Sequence, residues 1–526
     1  MAIPADILSI ERPKNSFVIR TNKTEPPRYA VRSRVGCKYV HGRRLPQNGP
    51  VIGHIDTEAR IFVPLPAESE TVSNNQPLTS TRVCQYDTVD LKDWANVVLA
   101  DRIFKPILED LKRFYEIHDA TQIYVIALLR VCCKGVKDYE LQEAYQTSFI
   151  SELYPKVALS KNTVSTFLKN LGKVCSKIIM FMQDRVKNVK ADHHLLIDGT
   201  LKSNESRINT LSDYSRKALK KGTKDISVMY AFDLELKEPI CSKCYPGNML
   251  DLTAYENFIT ENNITSGIIV GDKGFPSSGA KSAFMNNKNL HFINPLKRDA
   301  KIIKDLNLYE YSGTLSNNEY ILYKKEFDKE GNKWLYSFKD LSLFAAEEKD
   351  YLHRVNKNNK FSAEKYDEKR KEFGTIVLET DLDLSPEIAF NSYNSRWEIE
   401  LVMRYYKHAC DFDETRVHND YSVIGSEFCD FLSSLLTYKL INYFDECELF
   451  NTMTYKKIMK LLERAKKVNL PNKGWTLRKI SKNLEDILVK LELLNVQKAP
   501  KKKRAVQRKI MLYSLMDELY NWESCS

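Results

Sequence analysis

The sequence is poor in anything that would place it in or across a membrane. Its start, MAIPADILSIERPK, lacks a basic segment followed by an apolar run, so no secretory signal is read. The most apolar late stretch, FCDFLSSLLTYKLINYF, carries Asp430 and Lys439 and is too short to span a bilayer. It reads as a buried helix. Cysteine is present but not organised: eleven residues are scattered without a disulfide framework, which suits reduced thiols in a cytoplasm. Cys241 and Cys244 form one C-x-x-C, but no second pair accompanies them, and two strand cysteines explain them better than zinc. No internal repeat stands out. What remains is the balance of a soluble globular chain, 43% hydrophobic and 28% charged over 526 residues. That length is enough for about three to four domains. The net charge of +11 and pI near 8.8 suit a polyanionic partner without identifying one.

Along the chain the texture changes several times. Residues 1–90 hold short β-prone runs, NSFVIRT, RYAVRSR and RIFVPLP, and read as a strand-rich module. Residues 91–190 show helical periodicity. There Ser160 is a candidate N-cap, and Val164, Phe167, Leu168 and Leu171 form an apolar face opposite Lys161, Asn162, Ser165, Thr166 and Lys169. The pattern fits a helix entering a DNA groove and equally an ordinary surface helix. From 191 to 298 the candidate strands HLLIDG, KDISVMYAFD and EPICSKCY suit a meander; the helix DLTAYENFITENN and the strands GIIVGD and LHFINPLK follow. This is the order of an RNase H-like core with a mixed sheet. Residues 299–385 break the pattern with a hairpin turning at 328–332, charged helical sequence and the strand TIVLETD. A helix is expected from about Ser385 through Cys410, within a segment 386–445. The remainder, 446–526, reads as helical, interrupted by NLPNKGW and including the basic run KAPKKKRAVQRK.

Two carboxylates share one setting. Asp198 follows HLLI and Asp272 follows GIIV, each expected where a buried strand ends, with Gly199 and Thr200 as the turn leaving the first strand. Strand ends deliver side chains to a site beside a sheet, and paired carboxylates there suit Mg²⁺ with phosphate oxygens. A third element is YNSRWEIELVMRYYK. At about 100° per residue, Tyr393, Arg396, Glu400 and Lys407 fall at about 0°, −60°, −20° and −40°, on one helical face. That face combines a carboxylate with the guanidinium, ammonium and phenol groups that grip phosphate. An Asp two positions before Asp198 would suggest a covalent phosphatase, but Leu196 stands there and cannot form an aspartyl phosphate.

These residues resemble the DDE transposases of bacterial insertion sequences, in particular the insertion-sequence-four group. Its signature, Tyr-x2-Arg-x3-Glu-x6-Lys, is matched at every spacing by Tyr393, Arg396, Glu400 and Lys407, beside LLIDGT and IIVGDKGF. The resemblance covers most of the chain. It implies an α/β fold: an RNase H-like core with a β-rich insertion, flanked by a strand-rich and helical N-terminal region and a helical C-terminal region. The segment of 128 residues between Asp272 and Glu400 leaves room for that insertion.

The resemblance implies Asp198, Asp272 and Glu400 as catalytic and metal residues holding two Mg²⁺, with Mn²⁺ as substitute. Tyr393, Arg396 and Lys407 would bind DNA phosphate, and Lys273 is a further candidate. In relatives an aromatic residue of the insertion stacks on a flipped base, for which Trp334 is the candidate here. The expected partners are double-stranded DNA, both element ends and target, and a second copy of the chain in a homodimer, with no membrane. The expected location is a prokaryotic cytoplasm, at the nucleoid. The alternatives are an RNase H-like nuclease without strand transfer and a domesticated, non-catalytic DNA-binding protein.

Overall fold

The structure, a computed structural model, describes residues 3–22, 26–40, 43–64, 90–204, 206, 208–215, 222–249, 251–271, 280–358, 360–396, 415, 417–470 and 473–494. The chain divides into two compact units, Met1–Thr88 and Val89–Ser526.

The first unit is an antiparallel meander of β1 (Ser16–Arg20), β2 (Tyr29–Val40), β3 (Arg43–Asp56) and β4 (Ile61–Pro64), in that order across the sheet. Val18, Tyr29, Val31 and Ile55 bury against Ile7 of the short helix Ala5–Leu8 to form its core. The three runs singled out in the sequence fall on β1, β2 and β4. β3 escaped notice because RRLPQNGP reads as loop. It is nonetheless a strand, and its prolines are tolerated because β4 pairs only with Gly53–Asp56, leaving the edge of β3 open at Pro46 and Pro50.

The second unit is mixed α/β, built on a nine-stranded sheet. β6 (His194–Ser203), β7 (Asp225–Asp233) and β8 (Glu238–Pro246) form the expected meander at one side. The helix Asp251–Glu261 then leads to β9 (Ser266–Val270) and β10 (Asn289–Pro295), which lie parallel to each other and to β6. Beyond β10 the sheet continues through β11 (Gly313–Leu315), β12 (Asn318–Asp328), β13 (Lys333–Asp340) and β14 (Thr375–Thr380), in the order β11-β12-β13-β14-β10-β9-β6-β7-β8. The hairpin turn falls between Asp328 and Lys333, and the charged segment after it forms the helices Leu341–Lys357 and Ala363–Arg370.

Helices pack against this sheet. The apolar late stretch lies in the helix Asp420–Glu446, buried along most of its length. Across it lies the helix Lys161–Lys173, capped by Ser160 accepting from the Thr163 amide, with Val164, Leu168 and Leu171 buried and Lys161, Asn162, Ser165, Thr166 and Lys169 exposed. The two helices touch backbone to backbone: a Cβ on Gly172 would lie 1.8 Å from the Tyr421 carbonyl oxygen, and one on Gly425 would lie 2.1 Å from that of Leu168. Only glycine allows that approach.

The C-terminal part differs from the helical reading. The hairpin β15 (Lys466–Leu470) and β16 (Gly474–Leu477) flanks PNK, and it joins β5 (Leu91–Asp93) in a three-stranded sheet. Gly474 sits at φ 64°. A Pro-Asn-Lys-Gly turn followed by a left-handed residue reverses a strand as readily as it ends a helix. The basic run KAPKKKRAVQRK lies outside the described residues. Among the described residues no helix is long and apolar enough to cross a membrane.

Candidate functional site

Asp198 sits within β6, not at its end. β6 pairs with β7 from Leu195↔Asp233 to Ser203↔Asp225, so Gly199 and Thr200 lie mid-strand opposite Met229 and Val228. The expected turn after Asp198 is therefore absent. On the other side the parallel pairing with β9 stops early, running from His194↔Ile268 to Leu196↔Val270. Asp198 thus stands two residues past the last β9 pairing, half-buried, on the carboxyl-end side of the parallel strands, where α/β sheets commonly bind ligands. One carboxylate oxygen accepts the Gly199 amide at 2.8 Å. Asp272 lies outside the described residues, as do Lys273, Glu400 and Lys407. The described register still bears on it, since each β6 residue pairs with the β9 residue 74 positions on (194 with 268), the separation of Asp198 from Asp272.

Of the helix expected from about Ser385 through Cys410, the structure describes Pro386–Asn394, which ends there with Ser395 as its C-cap, so Tyr393 lies on this helix and Arg396 beyond its cap. Ser385 caps it by accepting the Ile388 amide at 3.2 Å, and Pro386 occupies its first turn, so the start is set by local sequence. Tyr393 is buried, and the Arg396 guanidinium carbon lies 5.7 Å from its ring centroid. A guanidinium held against a ring loses less freedom when it meets phosphate. Next to this pair, the Ser392 hydroxyl lies 2.9 Å from Nε2 of His194, the first residue of β6. Nδ1 of His194 lies 2.7 Å from Glu235, whose other oxygen accepts the His194 amide at 2.7 Å. A hydrogen-bonded chain thus fastens the signature helix to the strand that carries Asp198. Neither Ser392 nor His194 was singled out from the sequence; nothing local marks a serine and a histidine 198 residues apart as neighbours.

Beside this joint, Nδ1 of His193 lies 2.7 Å from Asp233, whose carboxyl is pushed above the usual carboxylate range by burial. His193, Asp233 and Glu235 bring ligand atoms within 4.8 Å of one another, the one such group among the described residues. Their donors are engaged in holding the two histidines: Asp233 also accepts the Leu236 amide at 2.8 Å. The group reads as scaffolding at the start of β6.

Further along β6 a buried charge network holds the helix Asp420–Glu446. Lys202, fully buried, places its ammonium 2.6 Å from Glu427 and 3.0 Å from Asp430. Asp430 also meets Arg130 at 2.6 Å, and Arg130 meets Asp138 at 2.8 Å. Two cations thus face three carboxylates. Burial, reinforced by Asp430 and opposed by Lys202, pushes the Glu427 carboxyl up to about 7. Lys202 lies four residues after Asp198 on the same strand face, so the network braces the candidate site from beneath.

Trp334 lies on β13 opposite Phe327, with ring centroids 4.9 Å apart, and the Lys325 ammonium stands over its ring at 4.4 Å. It is half-buried and packs within its own hairpin. The cysteines of the C-x-x-C lie on β8, Cys241 buried and Cys244 half-buried, both unbridged. Burial pushes both thiols well up, which is the behaviour of packed strand residues.

The second unit is thus of the mixed α/β class, with Asp198 on the carboxyl-end side of its parallel strands and Tyr393 stacked with Arg396. Residues 190–423 match the family described as the Transposase DDE domain. No curated protein matches the chain. Among solved structures it is similar to the cryo-EM structure of the piggyBac transposase synaptic complex with hairpin DNA, at 12% identity and a TM-score of 0.37, over 77% of this chain and 80% of that one.

Proposed function

We propose that the protein is a DNA transposase that binds the ends of an insertion sequence, cuts them and joins them to target DNA by metal-dependent phosphoryl transfer on an RNase H-like core. The observation that carries this reading is the match of residues 190–423 to the Transposase DDE domain, in which Asp198 stands on β6 and Asp272 follows β9 in sequence, at the same separation of 74 residues as the β6–β9 register. Glu400 follows eight residues after Ser392 in the sequence, and Ser392 itself is fastened to β6 through His194.

The donor set fits a hard divalent cation. Asp198, Asp272 and Glu400 are oxygen ligands, Asp198 is half-exposed at the crevice, and Mg²⁺ prefers a few carboxylates shared with phosphate oxygens. Two Mg²⁺ ions, or Mn²⁺ in their place, would supply Lewis acidity for activating water or a DNA 3′-hydroxyl and for stabilising the departing oxygen. The chain's own groups orient the substrate. Arg396, held against Tyr393, presents planar donors to a phosphate, and Lys407 would add a point charge. Trp334 is the aromatic available to a flipped base. Because an element has two ends, two copies of the chain act together as a homodimer on double-stranded DNA, in a prokaryotic cytoplasm.

The test uses the purified chain, labelled end DNA and Mg²⁺, with Asp198→Ala, Asp272→Ala and Glu400→Ala in parallel. Each is expected to lose more than about 100-fold in cleavage rate, since a lost metal ligand removes several kcal/mol of transition-state stabilisation. Full cleavage by any one of them would sink the metal-site assignment. Cleavage without joining to target DNA would make the protein a nuclease of the same architecture.

A further inference from the structure

We infer that the cavity between the segment after β10 and the helices that follow β13 is a binding site for a free nucleotide, a planar base carrying a phosphate, apart from the carboxylate site. Its volume is about 460 Å³. Small-molecule sites run from roughly 300 to 1,000 Å³, whereas close packing leaves few voids larger than a water molecule inside a protein. Phe373, buried just before β14, and Tyr351, half-buried on the helix Leu341–Lys357, line the cavity with ring centroids 5.3 Å apart and planes at 49°. Rings left facing a cavity offer a nucleobase a surface to stack on. Asp198, Tyr393 and Trp334 do not line it.

The polar groups select the rest of the ligand. Four cations, Arg298, Arg354, Lys360 and Lys369, line the cavity with one carboxylate, Glu372. Arg298 is fixed in place: its guanidinium meets both Glu347 oxygens at 2.9 Å and donates through Nε to the Thr375 carbonyl at 2.9 Å. A guanidinium already held flat loses little freedom when its remaining N–H groups meet a phosphate. Arg354 pairs with Asp350 at 3.0 Å, an exposed contact of small worth that a phosphate can replace. Lys360 has no ion-pair partner among the described residues. Asn358 and Glu372 add an amide and a carboxylate, the groups that hydrogen-bond the edge of a base. A polynucleotide strand needs a groove that tracks its backbone, while a single cavity of this size takes one base and one phosphate.

Isothermal titration calorimetry of the full chain with adenosine monophosphate provides the test. Saturable one-site binding is expected, with a dissociation constant on the order of 10–500 µM for a ligand of that size. Adenosine and inorganic phosphate should each bind at least about 10-fold more weakly, since each makes only part of the contacts. Arg354→Ala/Lys360→Ala, at two exposed positions, should weaken adenosine monophosphate about 10-fold or more and leave the thermal midpoint of the unliganded chain unchanged. Tyr351→Leu should weaken it about 5-fold or more while leaving ribose 5-phosphate unaffected, a split that misfolding would not produce. No saturation by about 5 mM would overturn the inference. So would inorganic phosphate binding as tightly as the nucleotide, which would reduce the rim to an anion patch. A single-stranded oligonucleotide of about ten residues that displaces the mononucleotide at about 10-fold lower concentration would overturn it too, by making the cavity part of a strand groove. Asp198→Ala should bind adenosine monophosphate as the wild type does, so failure of the catalytic assignment and failure of this site are read separately.

Discussion

Replacing Lys202 by methionine tests the brace beneath the candidate site. The side chain is fully buried, 2.6 Å from Glu427 and 3.0 Å from Asp430, and methionine fills nearly the same volume. Packing is therefore kept while one of two cations is removed from a cluster of three carboxylates. Breaking a buried pair from one side costs about 3–5 kcal/mol, because the remaining charge stays desolvated and unpaired. The pH dependence carries a definite sign. Glu427 is pushed up to about 7 from an ordinary 4.5, so between those values the folded chain holds a proton that the unfolded chain has released. Stability from this group is thus full below about 4.5 and falls as pH rises toward about 7. Without Lys202 the Glu427 carboxyl rises further. The variant's deficit should then be largest near pH ~8 and shrink near pH ~5.5, where protonated Glu427 no longer needs a counter-charge. Urea midpoints of wild type, Lys202→Met and Lys202→Met/Glu427→Gln at both pH values provide the measurement. The double variant should recover most of the loss. A deficit below about 1 kcal/mol at the higher pH, or one that does not shrink at the lower, would refute the reasoning.

Two further outcomes follow from the packing. Gly172→Ala should destabilise by about 3 kcal/mol or more, since its methyl group would lie 1.8 Å from the Tyr421 carbonyl oxygen and force two helices apart; a thermal midpoint unchanged from wild type would show that the crossing is looser than described. Ser392→Ala should remove the partner of His194 Nε2, loosen the segment leading to Glu400 and lower the cleavage kcat about 10-fold, with DNA affinity unchanged and Ser392→Thr close to wild type. A fall in affinity at constant kcat would instead make Ser392 a DNA contact.

Much of the architecture was legible because local rules decided it. The meander β6–β8, the strands β9 and β10, the hairpin turning after Asp328 and the helix capped by Ser385 each carry their own periodicity, turn or cap. β3 and the β15–β16 hairpin were not legible, since their proline and glycine residues read as breaks, although both pair as hairpins, and β15 gains a further partner, β5, distant in sequence. The end of β6 was misplaced for a related reason. Gly199-Thr200 looks like a turn, but pairing with β7 over nine residues, from Leu195 to Ser203, outweighs that local preference. At the candidate site, Asp198 and the Tyr393–Arg396 spacing were visible as motif residues, whereas His194, Ser392 and Lys202 were invisible. Their roles lie in contacts spanning 198 to 228 residues, which no local pattern encodes.

The sequence by itself determined the side chains available to this protein: the carboxylates Asp198, Asp272 and Glu400 and the Tyr-x2-Arg-x3-Glu-x6-Lys spacing are matters of residue type and order. Only the tertiary structure decided how the parallel strands align in a register of 74 and which serine and histidine tie the helix Pro386–Asn394 to β6. Register and docking depend on burial and hydrogen bonding summed over whole elements, and they emerge only when those elements meet.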